Sequence, residues 1–189
     1  GGLIVSCQAS PSPSLEGPAI LAAIAEAVVA GGAVGIRADG PENIRAIRKL
    51  AKVPVIGIWK RHLPDSEIHI TPRLEDVLTV AETKAEVVAL DATSRPRPDG
   101  ETLKMIVREA KARGAPLLMA DVSNFEEGLK AVEIGFDLVA TTLSGYVKSP
   151  TGNPYEPDLD LVKRLASHLD GEIPVIAEGR ISTPEQAAK

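Results

Sequence analysis

The chain has 189 residues, 44% hydrophobic, 25% charged and only 3% aromatic, with a net charge of −5. Such a composition excludes a disordered, collagen-like or coiled-coil chain, and its acidic balance argues against a general nucleic-acid or membrane-surface binder. The longest apolar stretch, Ile20 to Gly35, is broken by Glu26 short of a membrane span, and the single cysteine, Cys7, excludes an internal disulfide framework and suits a reducing, cytoplasmic setting.

In chain order, seven short aliphatic runs alternate with helix signals. The runs are Leu3–Cys7, Ala33–Arg37, Pro54–Ile58, Glu86–Leu90, Pro116–Ala120, Asp137–Thr141 and Pro174–Ala177. After the first run, Ile20, Ile24, Ala27 and Val28 recur at helical spacing; before the last, Leu159, Val162, Leu165 and Ala166 do the same. Asp39-Gly40 reads as a turn into a helix starting near Pro41. Ser123 with Glu126, and Thr183 ahead of Pro184 with Gln186, mark two further helix starts. Gly31-Gly32, Gly114 and Gly135 fall just past helices, where a left-handed cap is wanted.

Nearly continuous apolar strands joined by helices predict a parallel sheet buried on both faces. Seven units of roughly thirty residues fit an α/β (β/α)8 TIM barrel of the phosphate-binding type, with its eighth strand missing from this chain. The doubly wound alternative wants a glycine-rich loop after its first strand, where Gln8-Ala9-Ser10-Pro11 stands instead. Residues 1–189 read as one domain. Ser94–Gly100 and Ser149–Pro157 are too short for linkers and read as βα-loops, where barrel enzymes carry their sites. A closed barrel leaves no unpaired edge, so an eighth strand is expected beyond Lys189 and a leader or helix ahead of Gly1.

Each barrel strand delivers the side chains at its C-terminal end to the mouth. The residues closing the seven runs are Gln8, Arg37, Lys60, Asp91, Asp121, Thr141 with Thr142, and Glu178. Nearly all are polar. Period-two alternation puts Ile56, Ile58 and Lys60 on one face, and likewise Leu117, Met119 and Asp121, and Ile176 and Glu178. With the lower members filling the barrel, the upper ones point into its mouth. Strands three and seven lie four apart in a ring of eight, so Lys60 and Glu178 are expected to face each other across a pocket. Two titratable groups on opposite sides of a bound carbon suit proton removal from one face and return to the other, the requirement of an epimerase. Arg37 suits an oxyanion, either a developing enolate or a phosphate.

A charged strand end can also be a solvated rim residue, but rim residues need not all share the inward phase. Asp91, Asp121 and Glu178 could instead ligate a metal. No histidine closes a strand, however: His62 and His69 fall in a loop and His168 in a helix, so a pentose-phosphate-epimerase metal site lacks its imidazoles. Cys7 reads as a small core hydrophobe and Trp59 as packing beneath a helix. Gly179-Arg180, just past strand seven, is a candidate phosphate contact by its position.

Seven segments together resemble one family. They are Gly2-Leu3-Ile4-Val5-Ser6-Cys7-Gln8, Gly31 to Arg37, Val55 to Ile58 with Lys60-Arg61, Ala89-Leu90-Asp91-Ala92-Thr93, Met119-Ala120-Asp121, Thr141 to Tyr146, and Val175 to Arg180. Their content and order are similar to those of N-acetylmannosamine-6-phosphate 2-epimerases. The resemblance implies a TIM barrel that interconverts N-acetylmannosamine 6-phosphate and N-acetylglucosamine 6-phosphate in sialic acid catabolism, with no metal or nucleotide cofactor. It implies Lys60 and Glu178 as the catalytic pair. Gln8, Arg37 and Asp121 would contact the sugar or order the catalytic groups, Thr142 would join them at the substrate, and Gly179 with Arg180 would approach the phosphate. A homodimer through barrel helices is implied too. Lys60 could move the proton itself, or a substrate hydroxyl could relay it. Val147-Lys148 stands where the family usually has Thr, and the family's glycine-rich turn after strand eight would lie beyond Lys189. The rival readings are a metal-dependent pentose-phosphate epimerase-like barrel and a non-catalytic sugar-phosphate-binding remnant.

Overall fold

The computed structural model describes residues 1–8, 15–147 and 155–189. Ala9, Ser10, Pro11, Lys148 and residues 149–154, the greater part of one expected βα-loop, lie outside the described residues. Among the described residues seven strands follow in sequence order: β1 Ile4–Cys7, β2 Gly35–Asp39, β3 Val55–Ile58, β4 Val87–Asp91, β5 Leu117–Asp121, β6 Leu138–Ala140 and β7 Val175–Ile176. Each pairs in parallel with the next, from β1 through β7 with no reversal. A doubly wound sheet reverses its order at a switch point; this one runs in one direction, as a barrel wall does.

Helices α1 Pro18–Ala30, α2 Pro41–Leu50, α3 Leu74–Ala81, α4 Leu103–Ala112, α5 Phe125–Ile134, α6 Leu159–Leu169 and α7 Pro184–Ala187 alternate with the strands. Pro at the first turn of α1, α2 and α7 fixes a helical φ where the missing N–H costs nothing. Thr183 and Gln186 form the expected reciprocal cap of α7. The start of α5 falls one residue later than Ser123 suggests. Asn124 is the cap and accepts from the Glu127 N–H at 3.0 Å. The Glu127 carboxylate turns back to accept from the Ser123 and Ser94 N–H groups, both at 2.9 Å, tying two βα-loops together.

Alternation divides the core in two. Ile56, Ile58, Val87, Ala89, Met119 and Ala140 fill the interior of the curled sheet. The opposite phase, with Ile36, Val55, Val88, Leu90, Leu118 and Val139, packs against buried helix residues such as Ile44, Ile47, Val77, Val80, Ile106 and Leu165. Each fully buried aliphatic contributes about 1.5–3 kcal/mol relative to leaving it in water. Gly57 lets two helices press against β3: a Cβ there would lie 2.7 Å from Val80 Cγ1 and 3.0 Å from Ile44 Cδ1. Cys7 is buried in the outer layer and Trp59 packs against it, as their phase indicates. Among the described residues β1 and β7 are not paired with each other. Residues from Gly2 to Ser6 and from Val175 to Ile181 instead face a common cavity of about 740 Å³. No helix among the described residues is long and apolar enough to cross a membrane.

Candidate active site

The inward phase of the strands ends in a cavity of about 390 Å³, lined by Gln8, Arg37, Lys60, Thr142, Glu178 and Gly179 among others. Six of the sequence-derived candidates therefore line one cavity, Asp121 backs it through Arg37 and Arg180 lies outside it, with two refinements of position. Strand β2 continues past Arg37 to Asp39, because Ala38 and Asp39 still pair with Gly57 and Ile58, so Arg37 sits inside the strand and not at its end. Lys60 lies beyond β3 in an isolated antiparallel bridge with Ile70. Its N–H donates to Asp39 Oδ1 at 2.8 Å, and its Nζ donates to Gln8 Oε1 at 2.6 Å.

Arg37 organises the opposite side. Its Nη1 and Nη2 donate to the two oxygens of Asp121 at 3.1 and 2.6 Å, and Nη1 also reaches Glu178 Oε2 at 3.0 Å. Burial opposes the guanidinium charge, but the carboxylates of Asp121 and Glu178 overcome that and hold Arg37 above its ordinary value. The Thr142 hydroxyl lies 2.7 Å from Asp121 Oδ1 and 3.1 Å from Glu178 Oε2. Thr141 fixes the Glu178 backbone, giving its hydroxyl to the Glu178 carbonyl at 3.0 Å and accepting the Glu178 N–H at 3.2 Å. Burial pushes the Glu178 carboxyl above the ordinary glutamate range against the pull of Arg37, and the like charge of Asp121 adds to the rise. A carboxyl so tuned can hold and release a proton nearer neutrality than a solvated one.

Arg180 stands apart. Its guanidinium donates to the carbonyls of Glu156 (2.6 Å) and Ser144 (2.5 Å) and lies over the Tyr146 ring, and it lines the larger adjoining cavity, not the one holding Lys60. Arg37, Tyr146, Glu178 and Gly179 line both, so the two cavities adjoin. Asp91, at the end of β4, is held by Arg95 at 2.6 Å and by Thr93 at 2.7 Å. Among the described residues no group of three or more His, Cys, Asp or Glu is arranged to hold a metal ion.

The same cavity is also lined by Glu67, His69 and Arg95, which strand-end reasoning missed. Glu67 and His69 come from the loop between β3 and α3, which folds back on itself, with Arg61 N–H donating to the His69 carbonyl and Thr71 N–H to the Trp59 carbonyl. Arg95 braces it through the Glu67 carbonyl at 3.0 Å. Arg95 was signalled by its place in the expected βα-loop Ser94–Gly100 and by its proximity to a strand-end aspartate; Glu67 and His69 carried no such signal.

The family described as "Putative N-acetylmannosamine-6-phosphate epimerase" matches residues 21–189. A "Putative N-acetylmannosamine-6-phosphate 2-epimerase" from Clostridioides difficile is 49% identical over 190 aligned residues, covering 100% of this chain and 83% of the relative. A protein of the same description from Synechococcus elongatus is 46% identical, covering 99% and 80%. The solved N-acetylmannosamine-6-phosphate 2-epimerase from Clostridium perfringens superposes with a TM-score of 0.92 at 45% identity, over 99% of this chain and 80% of that one.

Proposed function

The chain belongs to the N-acetylmannosamine-6-phosphate epimerase family, and from that premise we propose that it inverts C2 of N-acetylmannosamine 6-phosphate to give N-acetylglucosamine 6-phosphate, and the reverse, with Lys60 and Glu178 as its catalytic pair. The observation that carries the assignment of roles is that Lys60 and Glu178, just past the ends of β3 and β7, line one cavity. The C2 hydrogen is acidic only when C1 is an open-chain aldehyde, so ring opening precedes or accompanies its removal. Deprotonation then puts negative charge on the C1 oxygen. An ammonium in the same cavity stabilises that oxyanion or serves as the second proton carrier, while the Glu178 carboxyl takes or returns the proton.

Arg37 and Asp121 hold Glu178 in place, and Gln8 holds Lys60 until substrate arrives. Thr142 stands at the substrate's edge, and Gly179 with Arg180 marks the phosphate side, in the adjoining cavity. To reach a phosphate, Arg180 exchanges the carbonyls of Glu156 and Ser144 for it. The reading extends to a homodimer acting in the cytoplasm, in sialic acid catabolism, without metal.

Turnover in deuterium oxide tests it. Deuterium should appear at C2 of both sugar phosphates, and activity should survive a chelator. Replacing Lys60 or Glu178 with Ala should abolish exchange while the fold is kept. Product free of label, or wild-type rates in both variants, overturns the assignment.

A further inference from the structure

Two carboxylate oxygens, Asp121 Oδ1 and Glu178 Oε2, share the same two neighbours. Arg37 Nη1 lies 3.1 Å from the first and 3.0 Å from the second; Thr142 Oγ1 lies 2.7 and 3.1 Å away. The two donors differ in one respect. An arginine Nη carries two protons and serves both oxygens at once, whereas a hydroxyl carries one and serves only one at a time. A threonine oxygen can, however, accept a proton while it donates its own.

We propose that Thr142 is a positioning residue for Glu178, its hydroxyl turning toward Asp121 when Glu178 is protonated and toward Glu178 when Glu178 is ionised. This rests on the reading of Glu178 as the acid–base group. With the proton on Glu178, a directed chain runs from Glu178 through Thr142 to Asp121. With the proton gone, the hydroxyl turns and donates to the new charge, and Asp121 keeps both of its bonds from Arg37. The charged groups facing Glu178 are Arg37 from β2, Asp121 from β5 and Lys60 from beyond β3. The arginine and the lysine only donate, and the Asp121 carboxylate is held by Arg37. Thr142 is the uncharged member that can reverse its role without moving a heavy atom. Thr141 holds the Glu178 backbone meanwhile, so the carboxyl stays in one place while its proton comes and goes.

Thr142→Val and Thr142→Ser test this in the full chain. Valine keeps the shape and loses the hydroxyl, and hydrogen bonds to charged groups are worth enough that kcat should fall about tenfold or more. KM should stay within about twofold, and serine should restore kcat. A raised KM with kcat retained would make Thr142 a substrate contact and overturn the proposal, as would unchanged kinetics. A chain without epimerase activity would remove the proposed function instead. The positioning role is then read from the Glu178 carboxyl titrated by 13C NMR. A midpoint displaced in the valine variant and restored in the serine variant supports it; an unmoved midpoint refutes it.

Discussion

Arg37 and Asp121 meet through two parallel hydrogen bonds of 2.6 and 3.1 Å where their side chains are only 3% and 0% exposed. Breaking a buried ion pair strands its surviving partner, at a cost of about 3–5 kcal/mol. In Asp121→Ala the guanidinium keeps Glu178 as counter-charge, so the lower end of that range is expected. Urea denaturation should show a loss of about 3 kcal/mol. The double variant Arg37→Met with Asp121→Leu should lose less than the two single changes added together, because neither member of the pair is then left without the other and the remaining Glu178 carboxyl can take up a proton.

Glu178 lies among the same groups and sets a pH dependence with a definite sign. Its folded-state carboxyl is raised by burial, so between the ordinary glutamate range and the raised midpoint the folded chain binds more protons than the unfolded one. Stability then falls as pH rises through that window, and the ionised form carries the penalty above it. Glu178→Gln should flatten this part of the stability–pH curve and be at least as stable as the parent at neutral pH, while losing turnover. Denaturant midpoints measured from pH 4 to 8 in both proteins check the sign; a parent curve that rises through the window where the variant is flat refutes it.

Gly145 has φ +78°, and a Cβ there would overlap Arg180 Nη1. Gly145→Ala imposes both a left-handed alanine and the displacement of a guanidinium bonded to the neighbouring carbonyl of Ser144. Left-handed strain alone costs about 1–3 kcal/mol. The variant should melt lower and, with Arg180 pushed from its perch beside Tyr146, show an altered KM for the sugar phosphate. An unchanged melting temperature would mean that Arg180 is not packed against this glycine.

The barrel wall was legible in the sequence because alternation is a local property. Ile56, Ile58 and Lys60 share a phase whatever surrounds them, and the two-layer core follows from that phase. The carboxylate–guanidinium cluster was legible only as a set of inward residues. That Arg37 would be engaged by Asp121 and Glu178 depends on register between distant strands, as when Asp121 pairs with Asp91 and Ala140. The wall of Glu67, His69 and Arg95 left no periodic trace, since the two loops that supply it have neither the helical nor the strand period. The α5 cap shows a closer contest. Ser123 and Asn124 are both competent caps, and the choice was made by Glu127, whose carboxylate is claimed by Ser123 and Ser94.

Lys60 Nζ and Gln8 Oε1, 2.6 Å apart, offer the sharpest test of how the ammonium is released to substrate. The amide oxygen is a neutral acceptor, strong enough to park the lysine and weak enough to yield it. A carboxylate in its place would add a full counter-charge to the bond the ammonium already makes and hold it more tightly. Gln8→Glu should therefore depress kcat/KM more than Gln8→Ala, although it removes fewer atoms. The mouth of the cavity is open to solvent, so added salt screens the introduced charge. Raising ionic strength should recover part of the loss in Gln8→Glu and none in Gln8→Ala. Equal losses with equal salt response would mean that Gln8 acts on the sugar directly, and that Lys60 is positioned by its bridge to Ile70 and its backbone bond to Asp39.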